Sequence, residues 1–166
     1  MKYKYYLGLG SNIEPKFNFL QKAVSELEKI GKVTKKSRIY ESIPWGNANQ
    51  DKFLNAVIRF YSDLDPFNLL ANIKQIEQKI GRKYIEEKWG PREIDIDILF
   101  SDNIFINKQK LKIPHKHFKN RNFVLVPMAE LNSDYRPENN AMNIKYFLNN
   151  KTDQNLVRQT NINWVV

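Results

Sequence analysis

The sequence contains no cysteine. That single absence excludes disulfides, thiolate zinc sites and cysteine nucleophiles, and it is compatible with the cytosol. Long apolar runs are missing as well. No stretch approaches the ~20 apolar residues of a membrane-spanning helix. The opening Met1-Lys2-Tyr3-Lys4-Tyr5-Tyr6-Leu7-Gly8 is basic but lacks the apolar core of a signal peptide. A cytoplasmic protein with no membrane partner is expected. Phosphate-binding loops are absent too: no G-x-x-x-x-G-K-[ST] occurs, and after Gly8-Leu9-Gly10 the third glycine of a dinucleotide fingerprint would fall at Ile13. There is no internal repeat, low-complexity segment or linker.

Acidic residues are the scarcer charge, 18 against 27 Lys plus Arg, giving a net charge of +9. An excess of that size suits an anionic partner: nucleic acid, a phosphorylated small molecule or an acidic surface. It equally suits a chain rich in Lys, Asn and Ile throughout, so where the charges cluster says more than their sum. The 166 residues, 42% hydrophobic and 27% charged, fit one folded domain spanning 1–166, with ten Phe, eight Tyr and three Trp to fill its core.

Residues 3–9 read as a strand. Pro15 suits the first turn of a helix whose Leu20, Ala23, Val24, Leu27 and Ile30 share a face, with Gly31 as its stop. A strand is expected at 33–41, a loop at 42–52 and a strand at 53–61. In the last of these, Leu54, Ala56, Ile58 and Phe60 face one way and Phe53 and Asn55 the other. Asp65-Pro66 opens a second helix with Leu69, Leu70, Ile73, Ile76 and Ile80 as its apolar stripe, ended by Gly81. A polar loop from 82 to 92 leads to a strand at 94–100, with a further strand possible by pattern at 104–106. Residues 123–127 fit either a strand or a buried turn, and 144–148 a short helix. The order strand-helix-strand-strand-helix-strand predicts an α+β, ferredoxin-like fold, an antiparallel sheet with both helices on one face.

Asp95 and Asp97 alternate with Ile94, Ile96 and Ile98, so both carboxylates leave the strand on the same side, ~6.6 Å apart. They repel unless something positive lies between them, and a hard divalent cation such as Mg²⁺ is the natural occupant. The competing structural reading is a solvated strand face salt-bridged to lysines. The neighbourhood favours the cation. Arg82 and Arg92 bracket the loop that precedes the strand, with Trp89-Gly90-Pro91 inside it, and guanidinium forks match phosphate oxygens. Lys110, Lys112, His115, Lys119 and Arg121 follow the strand and could form the opposite wall of an anion site.

Trp89-Gly90-Pro91-Arg92-Glu93-Ile94-Asp95-Ile96-Asp97-Ile98-Leu99 closely resembles the signature of the 6-hydroxymethyl-7,8-dihydropterin pyrophosphokinases. Gly8-Leu9-Gly10-Ser11-Asn12, Phe53-Leu54-Asn55-Ala56 and Ile113-Pro114-His115…Asn120-Arg121…Phe123 keep the family's order and spacing, so the similarity spans about residues 3 to 130. The resemblance implies transfer of pyrophosphate from ATP to the pterin alcohol, with release of AMP, in folate biosynthesis. Asp95 and Asp97 would hold two Mg²⁺ ions, and Arg82 and Arg92 would be catalytic from a mobile loop shared with Trp89. Arg92, His115 and Arg121 would bind the triphosphate, with Glu77, Trp89, Ile98, Lys110 and Lys112 also on the nucleotide side. Asn55 would hydrogen-bond the pterin ring and Phe123 stack on it. Phe53, where the family usually has Tyr, would face the other side, and Ser42, Ile43 and Trp45 would contact the pterin from the loop. Tyr84, Lys110, Asn122 and Trp45 depart from the family's usual residues. Trp45, in place of a smaller apolar residue, could act as an extra lid or simply pack. A monomer with no nucleic-acid partner is expected.

Two rivals are weighed against this. An RNA-binding ferredoxin-like module would need the K/R-G-F/Y-G/A-F-V-x-F/Y run, which is absent, and would meet the D-x-D carboxylates with its own phosphates. Another D-x-D nucleotide-dependent transferase would use metal and ATP alike and differ only in its acceptor.

Overall fold

The computed structural model describes residues 1–45, 49–82, 90–137 and 142–165. Strand β1 (Tyr3–Ser11) leads into helix α1 (Lys16–Leu27), then β2 (Lys32–Lys36), β3 (Tyr40–Ser42), β4 (Phe53–Ser62), α2 (Pro66–Ile80) and β5 (Asp95–Ser101). A two-stranded hairpin of β6 (Ile106–Asn107) and β7 (Lys112–Ile113) follows. After it come α3 (Asn122–Asn132), α4 (Ile144–Asn149) and β8 (Val157–Gln159). The main sheet is ordered β5-β1-β4-β3-β8, with β2 also on β4, and every pairing is antiparallel.

The expected periodicities produce the expected faces. Leu54, Ala56, Ile58 and Phe60 of β4 join Leu7 and Leu9 of β1 and Ile96 and Ile98 of β5 under α1 and α2. Helix α2 begins as its chemistry demands. The Asp65 carboxylate accepts the amides of Phe67 (3.0 Å) and Asn68 (3.2 Å), with Pro66 directly after it. It ends at Gly81, whose φ of 115° is left-handed backbone that glycine adopts without steric cost.

Three segments differ from expectation. The strand at 33–41 is two short strands on β4, interrupted where the Ser37 hydroxyl accepts the Val57 amide (3.0 Å) in place of a backbone carbonyl. The 104–106 strand lies two residues further on and pairs with β7. Residues 123–127 are neither strand nor turn but the start of α3. Pro127 sits inside that helix at the loss of one backbone bond. Burial of Val124, Leu125 and Met128 offsets the loss. With Phe118, Ile144 and Phe147 they form a second core on Tyr6 and Val57, the opposite face of the sheet from α1 and α2. The sheet is therefore covered on both sides.

Gly31 follows α1, but its role is space. A Cβ there would lie 2.3 Å from both the Phe60 ring and the Tyr61 carbonyl. Gly31→Ala is expected to destabilise the fold by about 2–3 kcal/mol through overpacking, lowering Tm by about 5–10 °C. A thermal melt within a degree of wild type would show that β4 can yield there.

Candidate active site

The floor of the site is a consequence of register. Gly8 pairs with Val57 on one side and Asp97 on the other, and Gly10 with Asn55 and Asp95. Paired residues point to the same face, so two glycines leave a hollow between Asn55 and the aspartates. Even a methyl at Gly10 would come within 3.3 Å of Asn55 Oδ1. Helices α3 and α4 cover the rest of this face, and the first turn of α3 lines the hollow with Phe123 and Val124. The result is a cleft open to solvent on one side. It gathers Ser42, Ile43, Trp45, Phe53, Asn55 and Phe123, all six residues expected on the pterin side, together with Arg92, Arg121 and both aspartates.

Asn55 is 5% exposed, and its amide nitrogen donates to Ser42 Oγ (2.8 Å), which fixes the carboxamide plane. Trp45 lies 4.7 Å from the Arg121 guanidinium and 5.3 Å from the His117 ring, so it both packs and faces the cleft. Arg121 also lies 5.4 Å from the Phe123 ring, and Arg92 5.9 Å from Phe53. Each aromatic wall thus has a guanidinium over it.

The two aspartates are held differently. Asp95 accepts from Arg82 Nη1 (2.8 Å) and Arg92 Nη1 (2.9 Å). Among the described residues, Asp97 has only looser charged neighbours, Arg121 Nη1 at 3.5 Å and His115 Nε2 at 3.8 Å. Burial alone would raise the pKa of Asp95, but the charges of Arg92 and Arg82 outweigh it and hold that carboxyl low. Asp97 is raised to about 6, by burial and then by the charge of Asp95, with Arg121 opposing. The pair titrates as a unit, and the asymmetry follows from the contacts. His115 is lowered to about 4 by burial and by Arg121, so it is neutral at pH 7. Its Nδ1 accepts the His117 amide (3.3 Å), which puts the ring proton on Nε2, facing Asp97.

A second, more open cleft runs along the outer edge of β5. Ile98, Lys110, Lys112 and His115 line it, and Asp97 lines both clefts. Two residues expected near the anion site lie elsewhere. Lys119 is over the Phe118 and Phe147 rings, on the second core. Glu77 is 2% exposed behind β5, where it accepts the Ile96 amide (2.8 Å) and contacts Arg82 (2.6 Å) and Lys74 (2.9 Å). Burial raises its pKa against those two cations. It braces Arg82 and does not line either cleft. Trp89 and Tyr84 lie outside the described residues.

Three contributors went unread in the sequence. Lys74 lines the second cleft with Leu70, four residues earlier on α2, so the helical spacing of 70, 74 and 77 was the available signal. Gln50 lines the first cleft. Asn12, 2% exposed, accepts the Arg92 amide on Oδ1 (2.8 Å) and donates from Nδ2 to Gln50 (3.0 Å) and the Asp51 carbonyl (3.1 Å). Nothing local in sequence announces such a bridge.

Two hard oxygen donors, one of them repelled by the other, suit Mg²⁺. No group of three or more His, Cys, Asp or Glu side chains gathers among the described residues, so an ion here would complete its shell with water and phosphate oxygens. The arrangement, an acidic pair between an open groove and an aromatic slot, ringed by cations, could hold a polyphosphate together with its cation.

The comparisons with known proteins agree. Residues 6–133 match the family model described as 7,8-dihydro-6-hydroxymethylpterin-pyrophosphokinase. The chain is 44% identical over 126 residues to the 2-amino-4-hydroxy-6-hydroxymethyldihydropteridine pyrophosphokinase of Aquifex aeolicus, covering 76% of this chain and 78% of that one. It is 41% identical over 128 residues to the Bacillus subtilis protein of the same name, covering 76% of each. Among solved structures, an HPPK-DHPS in complex with substrates aligns with a TM-score of 0.74 at 14% identity. That alignment covers 89% of this chain and 44% of the other, so it speaks for the fold of one part. The chain belongs to the 7,8-dihydro-6-hydroxymethylpterin-pyrophosphokinase family and is a transferase. The RNA-binding and other-transferase readings find no support.

The unequal aspartates give opposite signs in metal-free melts at pH 7.5. A raised pKa means that Asp97 favours the folded state when protonated; that contribution is complete below about pH 4 and is lost as the pH rises through about 6. Asp97→Asn should therefore stabilise the metal-free protein by about 1–2 kcal/mol, allowing for the third of the side chain that is exposed. Asp95, with its pKa lowered, stabilises at neutral pH and loses that contribution in acid. Asp95→Asn should cost about 1–3 kcal/mol by stripping two guanidinium groups of their partner. Shifts of the same sign in both melts would refute the asymmetry.

Proposed function

We propose that the protein transfers the pyrophosphoryl group of ATP to the hydroxymethyl oxygen of 6-hydroxymethyl-7,8-dihydropterin, giving AMP and the pterin diphosphate, a step of folate biosynthesis. The observation that carries this reading is that Asp97 lines both clefts, so a nucleotide along the β5 edge and a flat ring on the glycine floor would meet at the acidic pair. Phe123 and Phe53 would sandwich the bicycle, replacing the guanidinium groups that lie over them, and Asn55 would read its edge from a carboxamide already oriented by Ser42.

Asp95 and Asp97 would hold two Mg²⁺ ions, which when bound neutralise phosphate charge and align the β-phosphorus for in-line attack. The chain's own groups do the rest by position. Lys110, Lys112 and Lys74 neutralise the triphosphate along the groove, and neutral His115 offers its Nε2 proton to an oxygen without adding charge. Arg82 and Arg92 would take up the negative charge that builds on the oxygen between the α- and β-phosphorus as that bond breaks. No side chain forms a covalent bond to substrate. The protein would act as a monomer in the cytoplasm, where ATP is supplied.

AMP should form from ATP only with Mg²⁺ and the pterin alcohol both present; ADP as the main nucleotide product would overturn the assignment. Asn55→Ala should weaken pterin binding by about 1–3 kcal/mol, with an ATP analogue held within a few-fold. Equal losses for both ligands in calorimetry would make Asn55 structural.

Arg82→Ala and Arg92→Ala should lower kcat far more than they raise either KM, because their contacts matter most as charge moves. Steady-state kinetics showing KM effects alone would remove their catalytic role.

A further inference from the structure

The family match ends at residue 133, yet the chain beyond it touches both walls of the acceptor cleft. At one wall, Asn122 stands between Arg121 and Phe123, the two cleft residues of that corner. Asn122 is 2% exposed. Its backbone amide donates to Asp153 Oδ2 (2.9 Å), and its Nδ2 donates to the carbonyls of Asp153 (3.0 Å) and Asn155 (2.8 Å). Thr152 Oγ1 adds a bond to Asn120 Oδ1 (2.9 Å). Helix α3 has no side-chain cap of its own, so the Asp153 carboxylate supplies both the acceptor and the negative charge that a helix N-terminus favours.

At the other wall, β8 lies antiparallel on β3, with Val157 opposite Ser42 and Gln159 opposite Tyr40. Strand β3 has three residues and would otherwise be an edge. The run continues with the Thr160 amide on the Ile39 carbonyl (2.9 Å) and the Trp164 indole N–H on the Ser37 carbonyl (2.7 Å), its ring packed 5.9 Å from Phe17. Ser42 in turn holds Asn55.

We propose that residues 152–164 form a strap that fixes the spacing between the two walls of the acceptor cleft, with Asn122 as a positioning residue that pins one end and Trp164 the other. The strap spans from the Arg121–Phe123 corner to the Ser42–Asn55 edge, and loosening either anchor frees the walls to drift apart. A flat ring gripped from two sides loses contact at both when the slot widens, whereas none of the described residues that line the groove on the β5 edge belongs to the strap. The role as an acceptor-site device rests on the functional reading above; the mechanical coupling does not.

Asn122→Gly removes the two side-chain bonds while leaving the backbone amide on Asp153. In the chain of 166 residues it should raise KM for the pterin alcohol about three- to ten-fold, the scale of a small misplacement, with kcat and KM for ATP within about two-fold. Hydrogen–deuterium exchange on the ligand-free protein should show amides of 40–42 exchanging about ten-fold faster, with those of α1 and α2 unchanged. Trp164→Leu releases the other end, should give the same kinetic split, and should speed exchange at 121–123. A purely structural role would lower Tm and leave the ratio of the two KM values unchanged. That result, or exchange effects confined to each variant's own end, would overturn the proposal. If the wild type fails to turn over the pterin alcohol, the functional reading falls, and the exchange data alone decide the strap.

Discussion

Two carboxylates on alternate residues of one strand cannot both stay ionised in a half-buried cleft without positive charge close by, and this requirement organises the site around β5. Arg82 and Arg92 converge on Asp95 from either end of the loop before the strand, and buried Glu77 holds Arg82 from behind. Asp97 gets no comparable partner among the described residues, and its pKa is raised to about 6. The residual repulsion is what a divalent cation with phosphate oxygens would relieve. The ligand-free protein therefore stores a local instability at the place where substrate and metal would be bound.

That field acts only because the sheet leaves room for it. Gly8 and Gly10 stand directly opposite the aspartates, and on this face any side chain would fill the slot. The same face further along β1 and β4 carries Tyr6 and Val57 and is sealed by α3 and α4. One face of one sheet thus changes from core to binding cleft over a few residues of register, while the other face stays apolar under α1 and α2.

What could be read from sequence was what is local. The alternation at 94–98 separated aspartates from isoleucines, and Phe53 with Asn55 fell on the cleft face by the same period. Asp65-Pro66 and Gly81 marked both ends of α2 because caps need particular side chains and particular φ angles. Helix α3 was illegible for the converse reason: 123–127 is apolar all round and contains Pro127, so no periodicity shows, and only its burial on β4 makes it helical. Contacts between distant residues left no trace either. The Asn12 bridge from Arg92 to Gln50 and the Asn122 anchor at Asp153 join segments 80, 38 and 31 residues apart. Asn122 stood out only as a departure from the family's usual glycine, and its hydrogen bonds supply the physical reason for it.

The cationic side of the site raises the opposite problem, since Arg121, Lys110, Lys112 and Lys74 also repel one another when no anion is bound. Two features limit that cost. His115 contributes a donor without a charge: burial and Arg121 hold its pKa near 4, and the His117 amide fixes which nitrogen carries the proton. Arg121 keeps its charge but shares it with π-faces, lying over Trp45 and Phe123 and only 3.5 Å from Asp97. Its buried Nε has no acceptor among the described residues. A guanidinium held by rings and one loose carboxylate can be redirected to a phosphate oxygen at small cost, because cation–π contacts constrain direction less than a bidentate ion pair does. Arg82 and Arg92, each bonded to Asp95, have no such freedom. The site therefore contains two kinds of arginine, one kind fixed on Asp95 and one that can be redirected to an anion.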